Sequence, residues 1–334
     1  MSIQQLQVTK QGGSFAQVTV PTPKPGPLEI CIRTRAVAFN PIDWKNYQFG
    51  AMVSTWPAVL GIECAGIVES VGDDVISFKP GDEVMAWVNR SQFNGAFQDI
   101  CTARSISVAK KPAGLSFEEA AAIPVGFLTA VATVDVGLKV RIPGLSKREA
   151  IGTRLRSVLV LGGSSAVGSA AIQLLRLALP SATIIATSSA AHHDRLISLG
   201  ATACFDRAAQ EDIDILKAAT PGGAGVDAII DAVDAGAGAP AVYDTLRGDG
   251  PRLYSLVVTR PNFEPHQNVE VSFVGARDTL NIVPFAMTCL TELLERGKYK
   301  LPVRVEVVGK GLGAVEQNLG RVMQVSGTKL VLSL

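Results

Sequence analysis

The chain has 334 residues, 47% of them hydrophobic, with 31 basic and 30 acidic side chains and a formal charge of +1. That length corresponds to about two domains of ~100 to 200 residues each, with apolar material enough for two cores. The balanced charge, spread along the chain, excludes the electrostatic field by which nucleic acid or an anionic membrane would be held.

Residues 1–20 alternate polar and apolar positions and lack a basic start followed by a long apolar stretch, so no signal peptide is expected. Apolar runs such as 158–161 and 183–186 stop well short of the ~18 residues of a membrane span, and no membrane association is expected. Cys31, Cys64, Cys101, Cys204 and Cys289 are odd in number and scattered, with no C-x-x-C pair. Free thiols in a reducing compartment follow, and a cytoplasmic location is expected.

The N-terminal third predicts short strands over 16–20, 28–39, 64–71, 82–88 and 96–102, separated by turn-forming clusters of Pro and Gly. Near Ser116 the pattern changes: Ser116-Phe-Glu-Glu119 is a capping box opening a helix that Pro124 breaks or restarts. From Ser157 strands and helices alternate, with strands at 157–161, 183–187, 203–205, 226–231, 253–258 and 270–274. Helices are expected at 167–178, 193–199, near 212–219 and near Tyr243. Repeated strand-helix units of this kind predict an α/β fold built on a doubly wound parallel sheet. A helix at 284–295, a strand at 303–308, a helix at 312–325 and a strand at 329–334 close the chain. This tail is too short for a third domain, so residues 1–124 and 276–334 are read as one discontinuous catalytic domain and 125–275 as the cofactor domain.

The main chemical motif is Gly162-Gly-Ser164-Ser165-Ala166-Val167-Gly168, after one strand and before one helix. Small residues there let backbone amides approach a pyrophosphate at the positive end of the helix; the alternative is a tight turn without a ligand. An NAD site would place an acid at the end of the second strand, about twenty residues on. Here that end reads Thr187-Ser188-Ser189-Ala-Ala-His192. Hydroxyls of Ser188 and Ser189, with His192 and Arg207, suit a 2′-phosphate, so NADPH is expected as cofactor. Asp194 falls in the first turn of the next helix, where it serves the dipole.

No zinc site is expected. The three histidines, His192, His193 and His266, all lie in the cofactor domain, the cysteine spacing is wrong for a structural site, and adjacent His192 and His193 point about 100° apart on a helix.

Gly61-Ile-Glu63-Cys-Ala-Gly66, Lys79-Pro-Gly-Asp-Glu-Val84, Asn94-Gly-Ala-Phe97 and Glu119-Ala-Ala-Ala-Ile-Pro124 resemble the zinc-independent, quinone-oxidoreductase-like branch of the medium-chain dehydrogenase/reductases. Phe39-Asn-Pro-Ile42-Asp-Trp-Lys45 and Gln324-Val325-Ser326-Gly-Thr-Lys-Leu-Val331 are most similar to fungal trans-acting enoyl reductases that partner polyketide synthases. The resemblance implies a β-rich GroES-like catalytic domain beside the Rossmann domain. It further implies an acyl substrate on an acyl carrier protein, with Ile42 and Lys45 contacting the cofactor and Ser164–Val167 holding its pyrophosphate. Ser189, His192 and Arg207 would surround the adenosine phosphate, and Leu256, Val257, Val325 and Ser326 the nicotinamide side. Where the family has Phe-Asp-Tyr this chain has Phe205-Asp-Arg207, and Met52 stands where related enoyl thioester reductases carry a tyrosine proton donor.

The expected chemistry is hydride transfer to the β-carbon of an α,β-unsaturated thioester, with Lys45 placing positive charge near the reacting groups; the alternative is a solvated lysine. Thr129 is a second catalytic candidate, unless its hydroxyl bonds its own helix backbone. The basic stretch with Lys139, Arg141, Lys147, Arg148, Arg154 and Arg156 is either a carrier-docking strip or a solvated linker. Competing readings are a free-standing quinone or alkenal reductase and a non-catalytic NADPH-binding protein.

Overall fold

The computed structural model describes residues 1–88, 93–146, 155–257, 266 and 268–334, which gather into two compact units. One comprises Met1–Val125, Leu290–Glu295 and Arg304–Leu334, the other Gly126–Cys289 and Arg296–Val303.

The first unit opens with β1 (Ser2–Val8), β2 (Phe15–Pro21) and β3 (Glu29–Ala38), then helix α1 (Pro41–Phe49). The sequence reading assigned nothing to α1. Its start is local chemistry: Pro41 sits in the first turn with its φ already near helical values, and the Asn40 N–H donates to the Asp43 carboxylate at 2.9 Å. Gly50, at φ +61, ends it by donating its N–H to the Asn46 carbonyl. β4 (Ala58–Val59), β5 (Glu63–Val71), β6 (Glu83–Trp87), β7 (Ile100–Arg104) and β8 (Val108–Lys110) follow. The strand expected at 96–102 begins later, because Ala96–Asp99 is held in a bend by Gln98, whose N–H bonds the Ala96 carbonyl and whose side chain donates to the Gly95 carbonyl at 2.6 Å. At the capping box, Glu119 N–H donates to Ser116 Oγ and Ser116 N–H to the Glu119 carboxylate. This starts α2 (Phe117–Ala121), and α3 (Pro124–Val131) restarts at the proline.

The second unit runs β9 (Ser157–Leu161), α4 (Ala166–Ala178), β10 (Thr183–Thr187), α5 (His193–Ser198), β11 (Ala203–Phe205), α6 (Ile213–Ala218), β12 (Ala228–Asp231), β13 (Leu253–Val257), β14 (Glu270–Val274) and α7 (Ala276–Ile282). The strands are parallel in the order β11-β10-β9-β12-β13-β14. This is the doubly wound order, and the direction of winding reverses between β9 and β12. Leu159, Leu161, Ile185, Ile229 and Leu256 fill one of its cores. The helix expected near Tyr243 is a 3-10 segment, Pro240–Thr245, its turns closed by bonds three residues apart such as Val242 N–H to the Ala239 carbonyl.

β15 (Arg304–Lys310) and β16 (Thr328–Ser333) return to the first unit, where one sheet runs β15-β16-β3-β5-β6-β8 with β7 also on β3, and a smaller one runs β2-β1-β4. Ile30, Ile32, Phe39, Val84, Phe97, Leu330 and Leu332 lie buried within it. The helix expected at 312–325 is broken into Leu312–Ala314, Val315–Leu319 and Gly320–Met323, in keeping with the low helix propensity of Gly313 and Gly320. The helical stretch Phe117–Gly137, whose start and proline restart the sequence reading placed but whose apolar length it did not weigh, is apolar and long enough to cross a membrane by length and composition, but 89% of its apolar window is buried inside the protein.

Candidate functional site

In the second unit the carboxyl ends of the central strands form a row, Thr187 opposite Leu161 and Leu161 opposite Asp231. The chain leaves β9 through Gly162, whose φ of +69 favours glycine, and a Cβ there would lie 2.5 Å from Val233 Cγ1 in the turn after β12. Ser165 caps α4, its Oγ accepting the Gly168 N–H at 3.0 Å, and a Cβ on Gly168 would meet the Gly162 carbonyl oxygen at 2.3 Å. The Gly163 N–H goes to the Thr187 carbonyl and that of Ser165 to Gly162. Among the described residues no acceptor takes the N–H groups of Ala166 and Val167 at the start of the 13-residue helix. Ser164 is buried against this turn. Uncommitted amides at a positive helix end, reached through a glycine turn at the switch point, fit a dinucleotide pyrophosphate.

Beside this loop, Arg207 Nη2 donates to Ser189 Oγ at 2.9 Å, so two residues 18 apart in sequence meet past the ends of β10 and β11. Ser188 is buried, its N–H on the Phe205 carbonyl, and His193 Nε2 lies 3.2 Å from the Ser188 carbonyl oxygen. His192 is half-buried in the short 3-10 turn before α5, and Asp194 is exposed in that helix's first turn. Asp206 caps its own turn by accepting the Ala208 N–H. Leu256 is buried at the end of β13 with half-buried Val257 after it. Thr129 is 5% exposed on α3, and among the described residues nothing pairs with its hydroxyl; the backbone-bonding threonine is Thr133, to the Ala130 carbonyl.

Asp231 is a residue the sequence reading missed. Fully buried at the switch point, it accepts the N–H groups of Val233, Ala235 and Gly236 and the Tyr254 hydroxyl at 2.6 Å, fixing the turn opposite Gly162. Burial, with Asp231 beside it, holds the Tyr254 phenol above its ordinary range. The available signal was an acid ending a strand in front of small residues.

In the first unit Ile42 and Lys45, both half-buried, stand three residues apart on α1, while Asp43 and Asn46 form its buried face. The motif residues Asn40, Glu63 and Lys329, to which no role was assigned, converge. Lys329 Nζ lies 2.5 Å from Glu63 Oε1 and donates to Asn40 Oδ1 at 2.6 Å. Asn40 Nδ2 donates to Glu63 Oε1, and the Val125 N–H to Glu63 Oε2, each at 2.9 Å. Glu63 is fully buried, and this single carboxylate ties the α1 cap to β16 and to the first turn of α3. Val325 and Ser326 lie in the turn leading into β16, half-buried and exposed respectively. Among the described residues no three of His, Cys, Asp and Glu gather as a metal site. All five cysteines are free; Cys31, Cys64 and Cys101 are buried and Cys204 and Cys289 half-buried. In the basic stretch Lys139 is ion-paired with Glu270, while Lys147, Arg148 and Arg154 lie outside the described residues.

A β-rich unit with this strand order, joined to a doubly wound sheet with a nicotinamide-type phosphate loop, defines an oxidoreductase. Residues 26–143 match the alcohol dehydrogenase GroES-like domain. Over 345 aligned positions the chain is 32% identical to the trans-enoyl reductase tndF of Aspergillus flavipes, covering 97% of this chain and 96% of that one. It is also 32% identical to the trans-enoyl reductase himH of Aspergillus japonicus, over 92% and 90% of the two chains. The crystal structure of CurK enoyl reductase superposes with a TM-score of 0.79 over 99% of both chains at 22% identity, a likeness of fold. The chain belongs to the medium-chain dehydrogenase/reductase family, in the group that holds these fungal trans-enoyl reductases. It is a nicotinamide-dependent oxidoreductase.

Proposed function

We propose that the protein is an NADPH-dependent enoyl reductase that acts in trans on an α,β-unsaturated thioester presented by the acyl carrier protein of a polyketide synthase, in the cytoplasm. The observation that carries the cofactor choice is the Arg207–Ser189 pair, with no carboxylate at the end of β10. A cation and a hydroxyl there attract a 2′-phosphate, where an acid would repel it. The choice of substrate rests on the names of the fungal relatives aligned over nearly the whole chain.

NADPH, when bound, supplies the hydride that reduces the double bond at its β-carbon. The protein binds and orients. Ser164–Val167 hold the pyrophosphate by backbone N–H groups at the α4 terminus, and Ser188, Ser189, His192 and Arg207 hold the adenosine phosphate. Leu256, Val257, Val325, Ser326 and Ile42 supply apolar and small surfaces to the nicotinamide. Lys45 places positive charge where electron density moves onto the thioester oxygen, and Thr129 offers a hydroxyl. Glu63 takes the buried Lys329 ammonium as its counter-ion, which leaves that carboxylate saturated by protein groups and supports a reaction without metal.

The test is the initial rate of NADPH oxidation across enoyl pantetheine thioesters of varied chain length, with a simple quinone alongside and Lys45→Ala beside wild type. Turnover of at least one thioester, lowered about tenfold or more by Lys45→Ala, is the expected result. Turnover of the quinone alone would replace this reading by that of a free-standing quinone reductase.

A further inference from the structure

In the second unit the glycine loop at Gly162–Val167 and the turn that carries Arg207 are joined through one residue, Thr187, the last of β10. Its carbonyl accepts the Gly163 N–H at 2.9 Å, and its hydroxyl accepts a hydrogen bond from Gln210 Nε2 at 2.7 Å. Gln210 ends the short 3-10 turn Arg207–Gln210 that follows β11. The turn has two faces: Asp206, Arg207 and Ala208 are exposed, while Ala209 and Gln210 are buried. Its internal bonds, from Ala208 N–H to the Asp206 carboxylate and from Ala209 N–H to the Asp206 carbonyl, shape it without attaching it to the sheet. Backbone and side chain fasten it to the end of β10 on either side of Arg207. Before it the Phe205 carbonyl accepts the Ser188 N–H, and after it Gln210 reaches Thr187. Thr187 is fully buried and Gln210 9% exposed. Two apolar side chains would fill the same space, but a buried donor and acceptor also fix its direction, since any other arrangement leaves a polar group unanswered.

We infer that Gln210 is a positioning residue for cofactor selection: through Thr187 it holds the Arg207 turn in a set place beside the phosphate loop, so that the guanidinium and the loop amides meet the 2′-phosphate and the pyrophosphate of one NADPH molecule. The inference rests on the NADPH reading and goes beyond it, because Gln210 acts through Arg207 and not on the cofactor itself. An arginine side chain is long and rich in rotamers, and its fork discriminates only where the backbone beneath it is fixed. Fixing that backbone in advance lowers the ordering cost when the phosphate arrives. NADH has no 2′-phosphate, so its binding does not depend on where Arg207 stands.

The test is a double-mutant cycle read as dissociation constants by fluorescence titration with NADPH and with NADH, below the thermal midpoint of every variant. Thr187→Val keeps the shape of the side chain and removes the hydroxyl, Thr187→Ser keeps the hydroxyl, and Gln210→Met removes the donor at similar volume. Thr187→Val and Gln210→Met are each expected to raise the NADPH Kd about fivefold and to leave the NADH Kd within about twofold of wild type, with Thr187→Ser retaining the wild-type preference. In the Arg207→Ala background Thr187→Val should change the NADPH Kd by less than about twofold, since the group it positions is gone. A loss that persists undiminished in that background, or that falls equally on NADH, overturns the inference by assigning the bond to the general stability of the fold. Unchanged NADPH affinity in both Thr187→Val and Gln210→Met overturns it as well. Wild type that binds NADH as tightly as NADPH removes the underlying cofactor reading instead.

Discussion

The phosphate loop and the Glu63 cluster treat their polar groups in opposite ways. Around Gly162–Val167 the backbone is held by a few bonds, Gly163 to Thr187 and Gly168 to Ser165, while the amides of Ala166 and Val167 are left for a ligand. Around Glu63 three donors converge on the carboxylate and Lys329 bridges to Asn40. The first arrangement keeps unsatisfied donors at a helix end, where an anion completes them; the second closes a buried charge inside the protein. Openness of this kind marks a binding site, and closure marks the frame that positions one.

The sharpest break of that contrast is Lys329→Met. Removing the ammonium leaves Glu63 charged and fully buried, and a loss of about 3 to 5 kcal/mol is expected by urea or thermal unfolding. Pairing it with Glu63→Gln should recover much of the loss, because the uncompensated charge is gone. In the loop, Gly168→Ala forces a Cβ against the Gly162 carbonyl 2.3 Å away and should weaken NADPH binding at least about tenfold with a smaller stability change. Arg207→Ala should raise the NADPH Kd about tenfold and leave that for NADH unchanged, measured by fluorescence titration. A smaller effect is expected at Ser333, whose hydroxyl donates to Glu118 and holds that carboxyl below its usual range. A lowered folded pKa contributes stability above the ordinary carboxylate pKa and loses it as pH falls through the lowered value. Wild type should therefore exceed Ser333→Ala by less than about 1 kcal/mol at neutral pH, and the gap should close in acid.

The loop was legible because its chemistry is local. A β-branched strand, small residues and an amphipathic run lie in one stretch of sequence, and the strands at 157–161, 183–187, 203–205 and 270–274 fell at their observed bounds. Arg207 could be paired with Ser189 because each follows a parallel strand of that sheet. The cluster was illegible because its members come from positions 40, 63 and 329, brought together only by the antiparallel pairing of β16 with β3 and of β3 with β5. Helix α1 was missed although Asn40, Pro41 and Asp43 carry its start signal, since the helix is short and its buried face is polar, Asp43 and Asn46, so no apolar period marks it.

The most direct test of the account is reduction of an enoyl thioester on a carrier protein with NADPH deuterated at C4 on both faces, read by mass spectrometry and NMR of the released acyl chain. The account predicts one deuterium, on the β-carbon, and a solvent-derived hydrogen on the α-carbon. An acyl chain recovered still unsaturated, or reduced without deuterium at the β-carbon, would contradict it.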